Sequence, residues 1–169
     1  MRKTLTLLIL LSTLSFYAHS ETFYVDGLKY ETDTENLTAS LTGYEGDKPT
    51  DELIIPSSIT VGDVEYTVTS VGAYAFFNCS SLTSIVLPES LTEIGNYAFR
   101  FCSQLTDIKA NWETPLTVTS SYVFSTYSTA TLSVPVGTLE AYQADSFWGQ
   151  FANIVEDSTL AVEGNLVVD

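Results

Sequence analysis

The chain has 169 residues, 21 of them Asp or Glu against 6 Lys or Arg, for a formal net charge of −15 at neutral pH. A surface that acidic repels phosphate backbones and anionic lipid, which argues against nucleic acid and membrane surfaces as partners and leaves basic proteins or divalent cations. The length suits a single domain.

The first twenty residues read as an export signal. Arg2 and Lys3 give a positive start, Leu5 to Leu14 an apolar run, and Ala18-His19-Ser20 a small-x-small cleavage site before Glu21. The run is short and broken by Ser and Thr, and no later segment is long enough to insert in a bilayer after cleavage. Removal of this leader takes away His19, the single histidine, and two basic residues. Lys29, Lys48, Arg100 and Lys109 then face 21 acids, a net of −17.

Phe23-Tyr24-Val25 and Leu28-Lys29-Tyr30 flank Asp26-Gly27, the pattern of a hairpin with a tight turn. A further strand is expected through Leu37, Ala39 and Leu41, followed by a loop from Gly43 to Asp51. The stretch Leu53 to Pro56 then opens a second hairpin, whose turn is Gly62-Asp63 between Ile59-Thr60-Val61 and Val64 to Val68.

From Val68 a period of 23 residues takes over. The segment from Val71 to Leu87, VGAYAFFNCSSLTSIVL, agrees with that from Ile94 to Ala110, IGNYAFRFCSQLTDIKA, at nine of seventeen positions. A period of this length with apolar residues at fixed offsets is the signature of a solenoid, whose units stack because none buries its own apolar face alone. Ile85 and Leu87, two apart, share one side of a short strand that Pro88 ends. Leu91 and Ile94 belong to a second extended piece. Gly95 permits a turn, and the arc from Tyr97 to Cys102 is expected to form one helical turn.

A third, worn copy follows: Ser121-Tyr122-Val123-Phe124 repeats the Tyr-x-Phe element, and Leu132-Ser133-Val134-Pro135 repeats the strand, as Leu53 to Pro56 does earlier. The expected repeat core is Val71, Ala75, Phe76, Cys79, Leu82, Ile85, Leu87, Ile94, Ala98, Phe99, Cys102, Leu105 and Ile108. Cys79 and Cys102 occupy one position of successive copies. Stacked equivalents point the same way, so two buried thiols are preferred over a bridge, which needs the side chains turned toward each other.

Thr138 is expected to cap a short helix through Gln143 with Leu139 and Tyr142 on one face, and Phe147, Trp148, Phe151 and Ile154 to close the last coil. The organisation is therefore an export signal over residues 1–20, a β-hairpin cap with the first repeat strand over 21–67, leucine-rich repeats over 68–134, a C-terminal cap over 135–155 and an acidic tail over 156–169. In that tail Asn165-Leu166-Val167-Val168 offers one further strand.

The stretch IVLPESLTEIGNYAFRFCSQLT resembles the unit of the bacterial leucine-rich-repeat proteins called BspA-like. The matching residues are Leu82, Ile85, Leu87, Pro88, Leu91, Ile94, Gly95, Ala98, Phe99 and Cys102. The opening YVDGLKYE and the closing VPVGTLEAYQADSFWGQF are similar to the end modules such proteins carry in Bacteroides-type bacteria. The resemblance covers nearly all of the chain after the leader and departs at Ala110-Asn111, where the Leu-Pro strand ending is lost. It implies a β-rich leucine-rich-repeat solenoid at or beyond the cell surface, adhesion through host or matrix proteins, and no catalytic residues.

The residues themselves point the same way. Without a histidine after the leader, Ser-His-Asp and Cys-His arrangements and His-based metal sites are excluded. There is no Gly-rich phosphate loop and no EF-hand spacing. Paired carboxylates remain, but among 21 acids chance pairs are expected and the charge reads as a solvated surface. No catalysis, metal or cofactor is expected.

Positions constant between the copies are read as dictated by packing or geometry. Those that differ are read as facing solvent: Ala73/Asn96, Phe77/Arg100, Asn78/Phe101, Ser84/Asp107 and Val86/Lys109. Ser84, Val86, Asp107 and Lys109 would share the outer face of the sheet and are candidate ligand contacts. Trp112, in a polar, Pro-ended connection, either stacks on a sugar or a partner or folds over the sheet edge, and the second placement is preferred. The expected function is an exported or surface binding module for a protein partner. The alternative is a glycan-binding or carbohydrate-processing protein that uses Trp112, other surface aromatics and carboxylates.

Overall fold

The computed structural model describes residues 20–120 and 122–160. Residues 1–19 of the export segment, Ser121 and the tail from 161, with Asn165 to Val168, lie outside the described residues.

The chain opens with β1 (Ser20–Val25) and β2 (Leu28–Asp33) in antiparallel register, Val25 opposite Leu28. Asp26 and Gly27 take φ of 50° and 76°, the two successive left-handed residues whose twist matches the flanking strands. β3 (Thr38–Tyr44) returns beside β2. Leu37, expected within this strand, precedes it, exposed and with φ of 52°. The cause is a local turn in which the Asp33 Oδ1 accepts the N–H groups of Glu35 and Asn36 and swings the chain around before β3 begins.

β4 (Asp51–Ile54) leaves the opening layer, whereas β5 (Ser58–Val61) and β6 (Val64–Val71) form the second hairpin, with Gly62 at φ of 61°. The Leu53-to-Pro56 stretch is thus no part of that hairpin. It is the first rung of a parallel sheet.

That sheet continues with β7 (Leu82–Leu87), β9 (Asp107–Ala110), β10 (Thr131–Val134) and β11 (Asn153–Glu156), while β8 (Glu93–Ile94) joins β6 in the other sheet. The parallel order is β11-β10-β9-β7-β4, five strands, and the opening sheet runs β1-β2-β3-β6-β5. Ile85 pairs with Ile108, one period on, and Ile108 with Leu132. One period is one rung. β11 crosses the boundary expected between cap and tail, because the cap returns the chain for a fifth strand beside β10.

Alternation along the rungs builds the interior. Leu53, Ile85, Ile108 and Leu132 lie in one buried row, with Leu87, Ala110 and Val134 behind them. Opposite runs an aromatic stack: Tyr44 on Phe76 (centroids 6.1 Å), Phe76 on Phe99 (5.4 Å, planes within 5°) and Phe99 on Phe124 (5.5 Å). Each ring contributes about 1.5–3 kcal/mol by burial and each stacked pair about 0.5–1.5 kcal/mol more.

The arcs carrying these rings are successive tight turns, not the helical turn expected. Tyr74, Asn78, Tyr97 and Phe101 have φ of 61°, 58°, 62° and 63°. A left-handed residue at every fourth position stops a helix from propagating, and the backbone bonds run between coils instead: Tyr74 N–H to Asn96 O, Phe76 N–H to Ala98 O, Asn78 N–H to Arg100 O. Gly95 is demanded by this stacking, since a Cβ there would lie 2.4 Å from the Ala73 nitrogen. The repeated Thr has its own ladder: the hydroxyl of Thr83 donates to Asp51 O at 2.9 Å and that of Thr106 to Thr83 O at 3.4 Å. Nothing in the structure explains the repeated Ser80 and Ser103, which are exposed.

Cys79 and Cys102 are free and fully buried, the Cys102 thiol donating to Phe76 O at 3.3 Å. Burial pushes both thiols up, Cys102 from 9.0 to about 12, so neither is a nucleophile at neutral pH.

At the far end α1 (Leu139–Ala144) and the 3-10 helix Trp148–Gln150 close the coil, with Phe147, Trp148 and Phe151 against Phe124. Thr138 does not cap α1 through its side chain. Its hydroxyl donates back to Pro135 O at 2.7 Å, and its own helical backbone holds the side chain away from the N-terminal N–H groups. Asp145 instead accepts the N–H groups of Phe147 and Trp148.

Candidate functional site

Two surfaces present side chains that packing does not consume. The first is the outer face of the parallel sheet. Register brings Glu52, Ser84, Asp107, Thr131 and Asn153 into one row and Ile54, Val86, Lys109, Ser133 and Val155 into the next. Ser84, Val86 and Lys109 are half-buried and Asp107 is exposed, so the four sheet candidates share this face as adjacent pairs. The face is small-polar with Lys109 as the cation in its two rows, and its apolar exposure is split between opposite edges, at Ile54 and Val155. A groove of about 830 Å³ opens past the ends of β4 and β7, walled by Ile54, Pro56, Val86, Pro88 and Asn111.

Of its two expected placements Trp112 takes the preferred one, folded over the sheet edge, and it is not a free stacking platform. It is 7 % exposed, its indole N–H donates to Leu91 O at 3.0 Å and Glu89 O at 3.1 Å, and its ring lies 5.8 Å from that of Trp148. Tyr142 locks it further by donating its hydroxyl to Trp112 O at 2.9 Å. The residue joins the sheet edge to the cap and adds only its small exposed margin to the wall of the groove.

The second surface lies on the turns. Tyr74, Tyr97 and Tyr122 stand in line on three successive coils, with centroids 4.9 and 5.7 Å apart and planes inclined by 28° and 16°. Phe77 and Phe101 form a parallel file, 5.3 Å apart, edge to face, and Tyr74 and Phe77 are 5.6 Å apart. Tyr74 is 55 % exposed, Tyr122 54 % and Phe101 49 %, while Tyr97 between the two tyrosines is half-buried.

Arg100 sits among them, its guanidinium carbon 5.3 Å from the Tyr97 ring centre and 5.1 Å from those of Phe101 and Tyr122. Among the described residues it has no ion-pair partner, on a chain with 21 carboxylates. Nearby Lys48 donates to Asn78 O at 2.7 Å. The ridge is thus an aromatic strip carrying local positive charge on an acidic protein.

Reading repeat constancy as packing missed the tyrosines. The repeated Tyr is constant yet lies on the outer side of the turn, exposed at Tyr74 and half-buried at Tyr97, and only its pairing with small neighbours on a turn hinted at that position. The differing positions Phe77, Arg100, Asn78 and Phe101 do face outward, but as single residues they carried no sign that they abut. No group of three or more His, Cys, Asp or Glu able to hold a metal ion occurs among the described residues. No helix among them is long and apolar enough to cross a membrane.

The comparisons with known proteins agree with this architecture. A leucine-rich repeat protein from Bacteroides capillosus is similar at 25 % identity and a TM-score of 0.58, over 80 % of this chain and 98 % of that one. A leucine-rich repeat protein from Bacteroides ovatus shares 33 % identity over 52 % of this chain (TM-score 0.48), and a leucine rich cell surface protein from Faecalibacterium prausnitzii 22 % over 82 % (TM-score 0.47). The chain spans only 23 % and 30 % of the length of those two. No curated protein matches. Six copies of the BspA type leucine rich repeat region match residues 53–155, the stretch from the first rung to the last, and the chain belongs to that family.

Proposed function

We propose that the protein is an exported or cell-surface interaction module that binds another protein without catalysing a reaction. The observation that carries this reading is the ridge of Tyr74, Tyr97, Tyr122, Phe77 and Phe101 around Arg100, held in register on three coils with every ring but Tyr97 exposed. Exposed apolar patches of this kind mark interaction sites, and Tyr and Arg are the residue types that dominate binding energy at protein interfaces.

Glycan binding is the less favoured alternative, for a geometric reason. A sugar stacks on the open face of an aromatic ring, and here Tyr97 stacks between Tyr74 and Tyr122 with Arg100 beside it, so the middle of the strip offers a ring edge and a phenol hydroxyl. Ring edges and hydroxyls suit the side chains and backbone of a protein. The sheet candidates Ser84, Val86, Asp107 and Lys109 flank no comparable patch and serve in this reading as a secondary polar contact.

The test is a binding assay of wild type and the double variant Tyr97→Ala/Phe101→Ala against purified extracellular-matrix proteins and a glycan array. The expected result is a protein ligand whose affinity falls at least about tenfold in the double variant, as two lost aromatic contacts imply. A glycan ligand that the same variant loses would replace the protein reading with the alternative.

A further inference from the structure

Arg100 is the unused charge of the ridge. Its side chain is half-buried and fixed by three rings, so little conformational entropy remains to be lost on binding. Three ring centres surround its guanidinium carbon at 5.1–5.3 Å, and its N–H donors have no hydrogen-bond or ion-pair partner among the described residues. A carboxylate is the planar group that accepts two such donors side by side.

We infer that Arg100 is the anchor of the ridge and takes one carboxylate from an apolar segment of the partner protein. The inference rests on the reading of the ridge as a protein-binding site and adds the partner's chemistry. Lys48 at the border of the strip raises the local potential further, while the net charge of −15 repels a partner that is acidic overall. The fitting partner is a basic or neutral protein that presents a single Asp or Glu among aliphatic and aromatic side chains. The same charge disfavours a second copy of this chain as the occupant.

The experiment uses two short fluorescent peptides of alternating Leu and Phe with lysine pairs at both ends, identical except that one has Glu at its centre and the other Gln. Anisotropy titrations against wild type are expected to show the Glu peptide bound about tenfold more tightly, the worth of one charge-assisted pair. In Arg100→Gln the ratio should fall to about one. In Arg100→Lys it should drop without vanishing, because an ammonium cannot engage both carboxylate oxygens. A guanidinium that merely staples two coils would change stability in these variants but not the Glu-to-Gln ratio.

Equal binding of the two peptides by wild type, no binding of either, or a ratio that survives Arg100→Gln overturns the carboxylate anchor. Equal binding that Tyr97→Ala/Phe101→Ala abolishes overturns it while leaving the ridge reading intact. Equal binding that no ridge variant alters overturns both. A concentration-dependent dimer that Arg100→Gln dissolves would assign the strip to a second copy instead.

Discussion

Replacing Phe99 with Ala tests the stacking of the rungs most directly. The ring is fully buried and lies midway between Phe76 at 5.4 Å and Phe124 at 5.5 Å, so its removal empties the space between two coils and breaks both stacked pairs. Parallel rungs cannot close the gap without sliding the strands that hold Ile85, Ile108 and Leu132 in one row, so the cavity persists. A Phe-to-Ala change in such a site costs about 3–5 kcal/mol. For a domain of this size that lowers the melting temperature by roughly 2–4 °C per kcal/mol, on the order of 10 °C in all.

Urea titration followed by tryptophan fluorescence suits the measurement, because Trp112 and Trp148 are both buried and report on the end of the stack. With a slope of about 2 kcal/mol/M the midpoint should fall by about 2 M. Each coil contacts only its neighbours, so the central loss should also separate the unfolding of the opening sheet from that of the cap. Tyr122→Ala, on the ridge and 54 % exposed, serves as the control and should cost no more than about 0.5 kcal/mol, a midpoint shift of about 0.25 M. A Phe99→Ala midpoint within the error of that control would refute the shared spine.

Gly95→Ala should cost about 1–3 kcal/mol in the same titration, since its Cβ would meet the Ala73 nitrogen at 2.4 Å and both groups are backbone. Both thiols should resist an aromatic disulfide reagent at pH 8 in the native protein and react once urea unfolds it, whereas a bridge would leave nothing to titrate. The folded Cys102 is raised from 9.0 to about 12 and Tyr30 from 10.0 to about 12, both mainly by burial, so the unfolded chain ionises first. Stability should hold below pH 9 and fall as pH rises toward 12, and a flat urea midpoint between pH 9 and 11 would contradict the burial of these groups. Tyr74→Gly should match or exceed wild type in stability, because Gly relieves a φ of 61° that costs an L-residue about 1–2 kcal/mol, whereas Tyr74→Ala keeps the strain and loses the ring contacts.

The rungs were legible because period and alternation both have a physical cause visible in the residues. Ile85, Ile108 and Leu132 must face inward once the copies stack, whereas Gly95, expected to permit a turn, is instead required where two backbones touch. Three features were not legible. The arc through Tyr97 to Cys102 carries residues compatible with a helix, and only the inter-coil hydrogen bonds of Phe76 and Asn78 make the left-handed turns favourable. Leu37 followed the alternation of a strand but is governed by the carboxylate of Asp33. The hydrogen bonds that hold Trp112 were not readable either, because its acceptors, Glu89 O and Leu91 O, lie a full coil away.

The ridge was hidden for a deeper reason. One period spells two ladders on opposite sides of the same turn: Phe76, Phe99 and Phe124 inward, Tyr74, Tyr97 and Tyr122 outward. Repetition by itself does not tell them apart, since rings stack in register whichever way they point. What separates them is the energy each returns. The inner rings bury their whole surface, whereas Tyr74 and Tyr97 sit at strained positive φ, and Tyr74 stays more than half in water. A side chain such as Tyr74, which adds backbone strain and little burial, contributes less to folding than glycine would there. Its presence is better explained by what it meets outside the chain, and Arg100 among the same rings, without an ion-pair partner among the described residues, supplies the directional contact that an apolar strip lacks.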